Sequence, residues 1–162
     1  MIDRIKRFAN QNKICYYIIY VLFNIYGLFF SVLCFMMRVF PIQKNKIVCC
    51  NMKGKRYGDN PKYIVDEILR EHLPYEIVWL IKKDTDIDLP EGIRPANYNP
   101  FSMAYELTTA KIWIDSNTKP LGVLKRKGQY YIQTWHGSYG LKKMYGDIPD
   151  KMNLFDKRNI QY

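Results

Sequence analysis

The stretch Tyr130–Gly140, YYIQTWHGSYG, places a histidine where an aromatic, β-prone run stops. Histidine exchanges a proton near neutral pH, so His136 at an exposed turn could act as a general base. The neighbouring Gly137 lets the backbone turn sharply and approach a substrate closely. The alternative is a histidine that only hydrogen-bonds its own loop, and the local sequence favours neither interpretation.

A second group of candidate residues follows the first apolar run after residue 45. The group combines glycines, basic side chains and a predicted helix start, and its members are Lys53, Gly54, Lys55, Arg56, Gly58, Asp59 and Asn60. Backbone N–H groups, cations and a helix N-terminus together favour an anion site. Neither GxxxxGK[ST] nor GxGxxG occurs here. A solvated basic loop is therefore the alternative.

Asp115, His72 and the four cysteines are further residues whose types could do chemistry. Asp115 ends another apolar run and could orient a substrate hydroxyl, or it could simply form a turn. His72 lies at a predicted helix C-terminus and is interpreted as structural. The cysteines are Cys15, Cys34, Cys49 and Cys50. They show no CxxC spacing, so no metal site is predicted and a reducing, cytoplasmic compartment fits best.

The net charge points to phosphate-rich partners. Lys and Arg number 25 against 15 Asp and Glu, which gives a formal charge of +10. Nucleic acid, anionic lipid and a polyanionic substrate all suit such a surface, and composition does not separate them. No recognisable RNA-binding or DNA-binding motif occurs, so no nucleic-acid partner is expected.

From residue 46 onward, short apolar runs alternate with helical patterns. The predicted strands are Lys46–Asn51, Tyr75–Lys82, a short one within IRPANY, Lys111–Ser116 and Gln129–Trp135. Asn60-Pro61 and Asn99-Pro100 predict two helix starts, with asparagine as the cap and proline in the first turn. This alternation predicts a parallel sheet in an α/β fold. Ligands gather at the carboxyl ends of such strands, so the three candidate loops should meet at one site.

Residues 14–37 contain no charged side chain and are long enough to cross a bilayer. A smaller or more polar stripe recurs at helical spacing, formed by Tyr17, Tyr20, Asn24, Gly27, Ser31, Cys34 and Arg38. The stripe fits an interfacial helix that faces headgroups, or the packing face of a span. A buried core helix is the third alternative. Both flanks are basic, so the positive-inside rule gives no orientation.

The segment Asn51–Tyr63, NMKGKRYGDNPKY, resembles the N-terminal loop of the CDP-glycerol glycerophosphotransferases, the teichoic-acid polymerases and primases of Gram-positive cell envelopes. Three further segments match in order: Tyr75–Leu80, Ala110–Asp115 and Gln129–Gly137, with Leu141–Lys143 shortly after. Together they extend over roughly residues 46 to 146. After Trp-His-Gly many members have Thr-Pro, whereas this chain has Ser138-Tyr139-Gly140.

The resemblance implies an architecture and a set of site residues. The fold would be a Rossmann-like α/β domain, the N-terminal half of a GT-B-type fold with its active site between two domains. Residues 1–45 would form the membrane-associating helix and residues 46–162 the acceptor-side domain, without the donor-binding domain. His136 would be catalytic, with Gly137 and Ser138 beside it contacting substrate. Attachment would be monotopic, on the cytoplasmic face of the cell membrane.

The implied reaction transfers glycerol phosphate from CDP-glycerol to a lipid-linked poly(glycerol phosphate) acceptor, with release of CMP. No cofactor is expected besides this donor substrate. The expected partners are the polyanionic acceptor, the anionic membrane surface and a second chain that carries the donor-binding domain. The alternative is a non-catalytic membrane-bound module that binds acceptor or docks to a partner. Lys125, Arg126 and Lys127 would extend the basic track or lie on the membrane.

Overall fold

The computed structural model describes residues 13–135, which form a parallel sheet with helices on both faces. The strands are β1 (Gln43–Cys50), β2 (Glu76–Ile81), β3 (Ile93–Asn97), β4 (Ala110–Asp115) and β5 (Tyr130–Gln133). The helices are α1 (Lys13–Met36), α2 (Asp59–Arg70) and α3 (Pro100–Thr109), and a 3₁₀ turn, Met37–Val39, follows α1. All five predicted strands are therefore confirmed, with shifts of one to three residues at their ends.

The strand order is β3-β2-β1-β4-β5, and every neighbouring pair is parallel. The chain fills one side of the sheet with β2 and β3, then returns past β1 to add β4 and β5. The direction of strand order therefore reverses between β1 and β4, which is where doubly wound sheets bind ligands. The prediction of a Rossmann-like α/β fold is confirmed.

Alternate side chains of the strands fill two separate cores. On one face, Ile47, Cys49 and Trp79 pack with Val65 of α2. On the other face, Val48, Cys50, Val78 and Trp113 pack against α1 and α3, and the α1 residues in this core are Phe30, Leu33 and Cys34. The adjacent Cys49 and Cys50 thus belong to opposite cores, and both are free thiols. Near-continuous apolar runs follow from burial on both faces.

The two Asn-Pro steps behave differently. At α3, the Asn99 Oδ1 accepts a hydrogen bond from the Ser102 N–H at 2.9 Å, and Pro100 is the first helical residue. This predicted cap is confirmed. The predicted cap at Asn60 is wrong, because α2 begins at Asp59 with Gly58 at the N-cap and no side-chain cap bond. The Asn60 side chain bonds instead to a distant part of the chain, as described below.

Helix α1 packs one side against its own domain and exposes the other. Among the described residues it is the one helix long and apolar enough to cross a membrane, with a mean hydropathy of 2.2 in an 18-residue window of Ile14–Val39. The Ser31 Oγ donates to the Gly122 carbonyl at 2.9 Å, and a Cβ on Gly122 would lie 2.0 Å from the Gly27 oxygen. The small residues of the stripe therefore face the β4–β5 connection, and their interpretation as a headgroup-facing surface is wrong.

Most of the large apolar side chains of α1 lie on its opposite side. They are exposed, and they comprise Ile14, Ile18, Val21, Leu22, Ile25, Leu28, Phe29, Val32, Phe35 and Met36. Phe101 of α3 is 62% exposed and meets Phe29 edge to face at 6.2 Å, so α3 extends the same surface. We call this surface the apolar face. A continuous exposed patch of ten large apolar side chains of α1, extended by Phe101, marks an interaction site rather than ordinary solvent-facing surface.

A buried ion pair ties the amino-terminal edge of the sheet together. Lys46 is 1% exposed, lies 2.5 Å from the Glu106 carboxylate and donates to the Thr109 Oγ1 at 2.8 Å. Arg94 donates to Glu106 and to Glu76. This network links β1, β2, β3 and α3 at the edge opposite the candidate site.

Candidate functional site

Two of the three predicted loops meet where the strand order reverses. Asn51 directly follows β1, Ser116 directly follows β4, and both are fully buried. The Ser116 Oγ donates to the Asn51 Oδ1 at 2.6 Å, and the Met52 N–H donates to the Ser116 Oγ at 3.4 Å. The sequence predicted that these loops converge, but it gave no indication that Asn51 and Ser116 join them.

The loop after β1 adopts a left-handed turn. Met52, Lys53 and Gly54 have φ values of +47°, +59° and +78°. Each non-glycine residue in this conformation costs roughly 1–2 kcal/mol, and such costs are concentrated at functional sites. A Cβ on Gly54 would lie 3.0 Å from the Lys82 nitrogen, so the turn requires glycine there. The turn leaves the side chains of Lys53 and its neighbours Lys55 and Arg56 exposed.

Tyr57 anchors the far end of this loop to α2. Its hydroxyl donates to the Asp66 Oδ1 at 2.6 Å, and its ring meets Trp79 edge to face at 4.5 Å. Burial alone would raise the pKa of Asp66, but hydrogen bonds from Lys62 and Tyr57 outweigh it and the pKa is lowered. Sequence reasoning missed Tyr57, since a tyrosine in a basic loop carries no signal for a helix partner.

Asn51 also holds an unused donor. Its Nδ2 is buried without a hydrogen-bond partner in the described part of the chain. It lies beside Gly58, where an added Cβ would be 3.3 Å from that nitrogen. Gly58 is the N-cap of α2, whose first-turn N–H groups have no side-chain cap. This end of the loop therefore offers hydrogen-bond donors and a positive helix end, which suit an anion.

Asp115 is 4% exposed at the end of β4. Its Oδ1 accepts from the Asn117 N–H at 2.8 Å, and its Oδ2 accepts from Lys119 at 2.9 Å. Burial raises the pKa of this carboxyl by more than Lys119 and the backbone N–H groups lower it. Both oxygens are thus engaged within their own loop, and a substrate hydroxyl would have to share one of them.

The third predicted loop starts at the same edge of the sheet. The Thr134 N–H donates to the Asp115 carbonyl at 2.9 Å, and the Asn60 Nδ2 donates to the Thr134 and Trp135 carbonyls at 3.0 and 3.2 Å. The ends of β4 and β5 and the start of α2 are therefore joined. The remaining predicted site residues, His136, Gly137 and Ser138, lie outside the described residues.

The second basic cluster lies at the opposite edge. Arg126 donates to the Phe40 carbonyl at 2.7 Å and to the Thr108 carbonyl at 3.3 Å. Lys111, the second residue of β4, donates to the Gly128 carbonyl at 2.5 Å. The cluster 125–127 thus lies near the end of α1, across the sheet from Lys53. Within residues 13–135, no group of three or more His, Cys, Asp or Glu side chains is placed to hold a metal.

Relatives of known name match most of this chain. A teichoic acid glycerol-phosphate transferase of Staphylococcus aureus is 36% identical over 121 residues, 73% of this chain and 30% of that protein. A teichoic acid poly(glycerol phosphate) polymerase of Bacillus spizizenii is 26% identical over 145 residues, 88% of this chain and 35% of that protein. The chain spans between 15% and 35% of the length of such relatives.

Solved structures agree with the fold. The wall teichoic acid polymerase TagF, as a histidine-to-asparagine variant, superposes with a TM-score of 0.61 at 28% identity. The match covers 65% of this chain and 26% of that one. The same variant soaked with CDPG gives a TM-score of 0.56. The model of one family, CDP-Glycerol:Poly(glycerophosphate) glycerophosphotransferase, matches residues 32–162. The chain belongs to this glycerophosphotransferase family.

Proposed function

We propose that this chain supplies the acceptor-side part of a CDP-glycerol glycerophosphotransferase. The enzyme would transfer glycerol phosphate to a lipid-linked poly(glycerol phosphate) during teichoic acid synthesis. One observation carries the proposal. The ends of β1, β4 and β5 are hydrogen-bonded together at the reversal of strand order, and β5 leads directly into the Trp135-His136-Gly137 motif.

In the proposed reaction, the terminal hydroxyl of the acceptor attacks the β-phosphorus of CDP-glycerol. A new oxygen–phosphorus bond forms, the bond from that phosphorus to the bridging oxygen breaks, and CMP leaves with the electron pair. His136 accepts the hydroxyl proton. Phosphoryl transfer depends mainly on alignment and charge neutralisation, and a positioned base contributes a further part of the rate. Asp115 holds the end of β4 in place. One of its carboxylate oxygens also accepts a hydrogen bond from the attacking hydroxyl, which shares that oxygen with the Asp115 loop.

The acceptor phosphates would lie along the loop after β1. Lys53, Lys55 and Arg56 are exposed there, and charge-assisted hydrogen bonds to phosphate are among the stronger polar contacts. Gly54 permits the turn that presents them, and Gly58 and Asp59 begin α2, whose N-terminus adds a partial positive charge. Asn60 belongs to the same segment, although its amide is directed toward β5.

The apolar face would hold the domain on the membrane. Because Gly27 and Ser31 contact the β4–β5 connection, α1 cannot leave the domain to cross a bilayer without breaking its own packing. An interfacial helix that inserts its apolar face fits this geometry. Lys125 and Lys127 flank Arg126, which bonds the Phe40 carbonyl just after the 3₁₀ turn that follows α1, and there they would meet anionic headgroups on the cytoplasmic side. The lipid-linked acceptor would then be within reach.

The donor-binding part of a GT-B architecture would come from another domain or a second chain. The shares of 15% to 35% that this chain covers in its relatives are consistent with such a division. In the proposed reaction that part would bind CDP-glycerol, and no further small molecule is required there.

The proposal is tested by transfer of radiolabelled glycerol phosphate from CDP-glycerol to a lipid-linked acceptor. The donor-binding part is supplied in every reaction, and membranes containing the unchanged chain are compared with membranes containing His136→Ala or His72→Ala, the matched control at the only other histidine. Transfer should be lost in the first variant and kept in the second. Transfer that survives His136→Ala would refute the catalytic role. A folded chain that binds acceptor but never transfers would instead be the non-catalytic module.

A further inference from the structure

Asn60 makes an unusual contact for a residue in the first turn of a helix. Its Nδ2 donates to the carbonyls of Thr134 and Trp135, at 3.0 and 3.2 Å. Both partners are backbone acceptors, so only the amide nitrogen can face them. The flipped amide would set its own oxygen against two carbonyl oxygens. The direction of this contact is therefore fixed by chemistry.

Trp135 is held in a conformation that a tryptophan rarely adopts. Its φ is +54°, in the left-handed region that favours glycine. The preceding Thr134 is fixed from the other side, because its N–H and Oγ1 both donate to the Asp115 carbonyl at 2.9 and 3.2 Å. A disfavoured backbone angle persists only when its surroundings hold it. Asn60 supplies the shorter of two side-chain contacts to the Trp135 carbonyl, at 3.2 Å against 3.4 Å from the Thr134 Oγ1.

The residue covalently attached to Trp135 is His136. We propose that Asn60 is a positioning residue, which fixes the left-handed turn at Trp135 and thereby supports the catalytic role proposed for His136, the next residue in the chain. This inference rests on the proposed function only for its consequence in catalysis. The contact itself can be tested without any transfer activity.

The two histidines make the test specific. In full-length chain labelled with ¹³C and ¹⁵N and reconstituted in lipid nanodiscs, each histidine gives one Cε1–Hε1 signal. His72 follows the C-terminus of α2, is exposed, and reports general damage to that helix. Asn60→Asp keeps the shape of the side chain but replaces the donor with an oxygen that repels both carbonyls. We expect the His136 signal to move by more than its line width while His72 stays in place.

Amide exchange gives a second readout at the contact. Loss of two hydrogen bonds should speed exchange at residues 134–135 by roughly tenfold or more. Asn99→Asp is the matched control, because Asn99 acts as an acceptor and a carboxylate preserves that bond. It should leave both histidine signals and this exchange unchanged. If Asn60→Asp unfolds the chain, both signals move, and Asn60→Ala, which adds no charge, takes its place.

Kinetic constants distinguish a positioning role of Asn60 from a role in stability alone. In the transfer assay, Asn60→Ala should lower kcat by roughly ten- to hundredfold and leave KM for CDP-glycerol unchanged. An unchanged His136 signal and unchanged exchange in a folded Asn60 variant would overturn the inference. Transfer that is insensitive to His136→Ala, combined with a shifted His136 signal in Asn60→Asp, would instead refute only the role of His136.

Discussion

Gly122 provides a quantitative test of how α1 is attached to the domain. It lies where the β4–β5 connection passes α1, with φ +88°, and a Cβ there would be 2.0 Å from the Gly27 oxygen and 2.8 Å from the Gly27 carbonyl carbon. Gly128, in the same connection, has φ +89°, but its added Cβ would meet nothing closer than the Lys111 Nζ at 4.0 Å. Alanine at either position therefore incurs the same backbone cost, and only Gly122 adds a collision with backbone.

The two costs can be estimated separately. A left-handed alanine costs about 1–2 kcal/mol, and forcing a methyl group into filled space costs about 1–3 kcal/mol more. Gly128→Ala should thus lower the free energy of unfolding by about 1–2 kcal/mol, and Gly122→Ala by about 2–5 kcal/mol. Chemical denaturation in nanodiscs, followed by tryptophan fluorescence, measures both values.

Thiol labelling shows whether the loss of stability in Gly122→Ala arises at the contact between α1 and the core. Cys34, on the side of α1 that faces the core, is 1% exposed. We expect it to react faster with a thiol reagent in Gly122→Ala, as read by mass spectrometry of the labelled peptide, and at the wild-type rate in Gly128→Ala. Equal losses of stability in the two variants, or a Cys34 that stays protected in Gly122→Ala, would refute the docking of α1 on this connection.

Two further perturbations test the ion network and the apolar face. Glu106→Gln leaves Lys46 buried without a counter-charge and should cost about 3–5 kcal/mol of unfolding free energy. Burial would raise the pKa of Glu106, but hydrogen bonds from Arg94 and Lys46 lower it overall. The free energy of unfolding of the wild type should therefore fall as the pH drops below about 4.3. The Glu106→Gln variant should show a flatter pH profile in that range. Leu28→Asp on the apolar face should weaken binding to anionic vesicles by roughly tenfold or more. Tyr63→Asp, at a similarly exposed position on α2, should leave this binding unchanged. Equal losses of binding in flotation assays would contradict the membrane role.

The period of apolar residues and the Asn-Pro steps were enough to predict the sheet and its helices. They could not distinguish Asn60 from Asn99, since identical dipeptides differ only in what the fold brings near them. The sequence pattern also could not predict the environment of Lys46. In the sequence it is a charged residue at the start of a predicted strand, whereas in the structure it is buried against Glu106. The stripe on α1 was visible in the sequence, but its partner, the connection at Gly122, follows 91 residues after Ser31.

The convergence of three loops was predictable because carboxyl ends of parallel strands share an edge. The residues that join these loops were not predictable. Asparagine and serine are common in ordinary turns, so their position after a strand does not indicate a contact between two loops. The two basic clusters looked alike in sequence. Only the strand directions place Lys53 and Lys55 at the carboxyl edge and residues 125–127 at the opposite one.

That separation allows the most direct test of the account, which is binding of a synthetic lipid-linked glycerol phosphate oligomer to the chain in neutral nanodiscs. Lys53→Glu/Lys55→Glu is compared with Lys125→Glu/Lys127→Glu, two variants that change the charge equally at exposed positions. The first should weaken binding by at least about tenfold and flatten its salt dependence, and the second by no more than about threefold. Equal losses would show that only net charge matters, and would contradict an acceptor site at the carboxyl edge of the sheet.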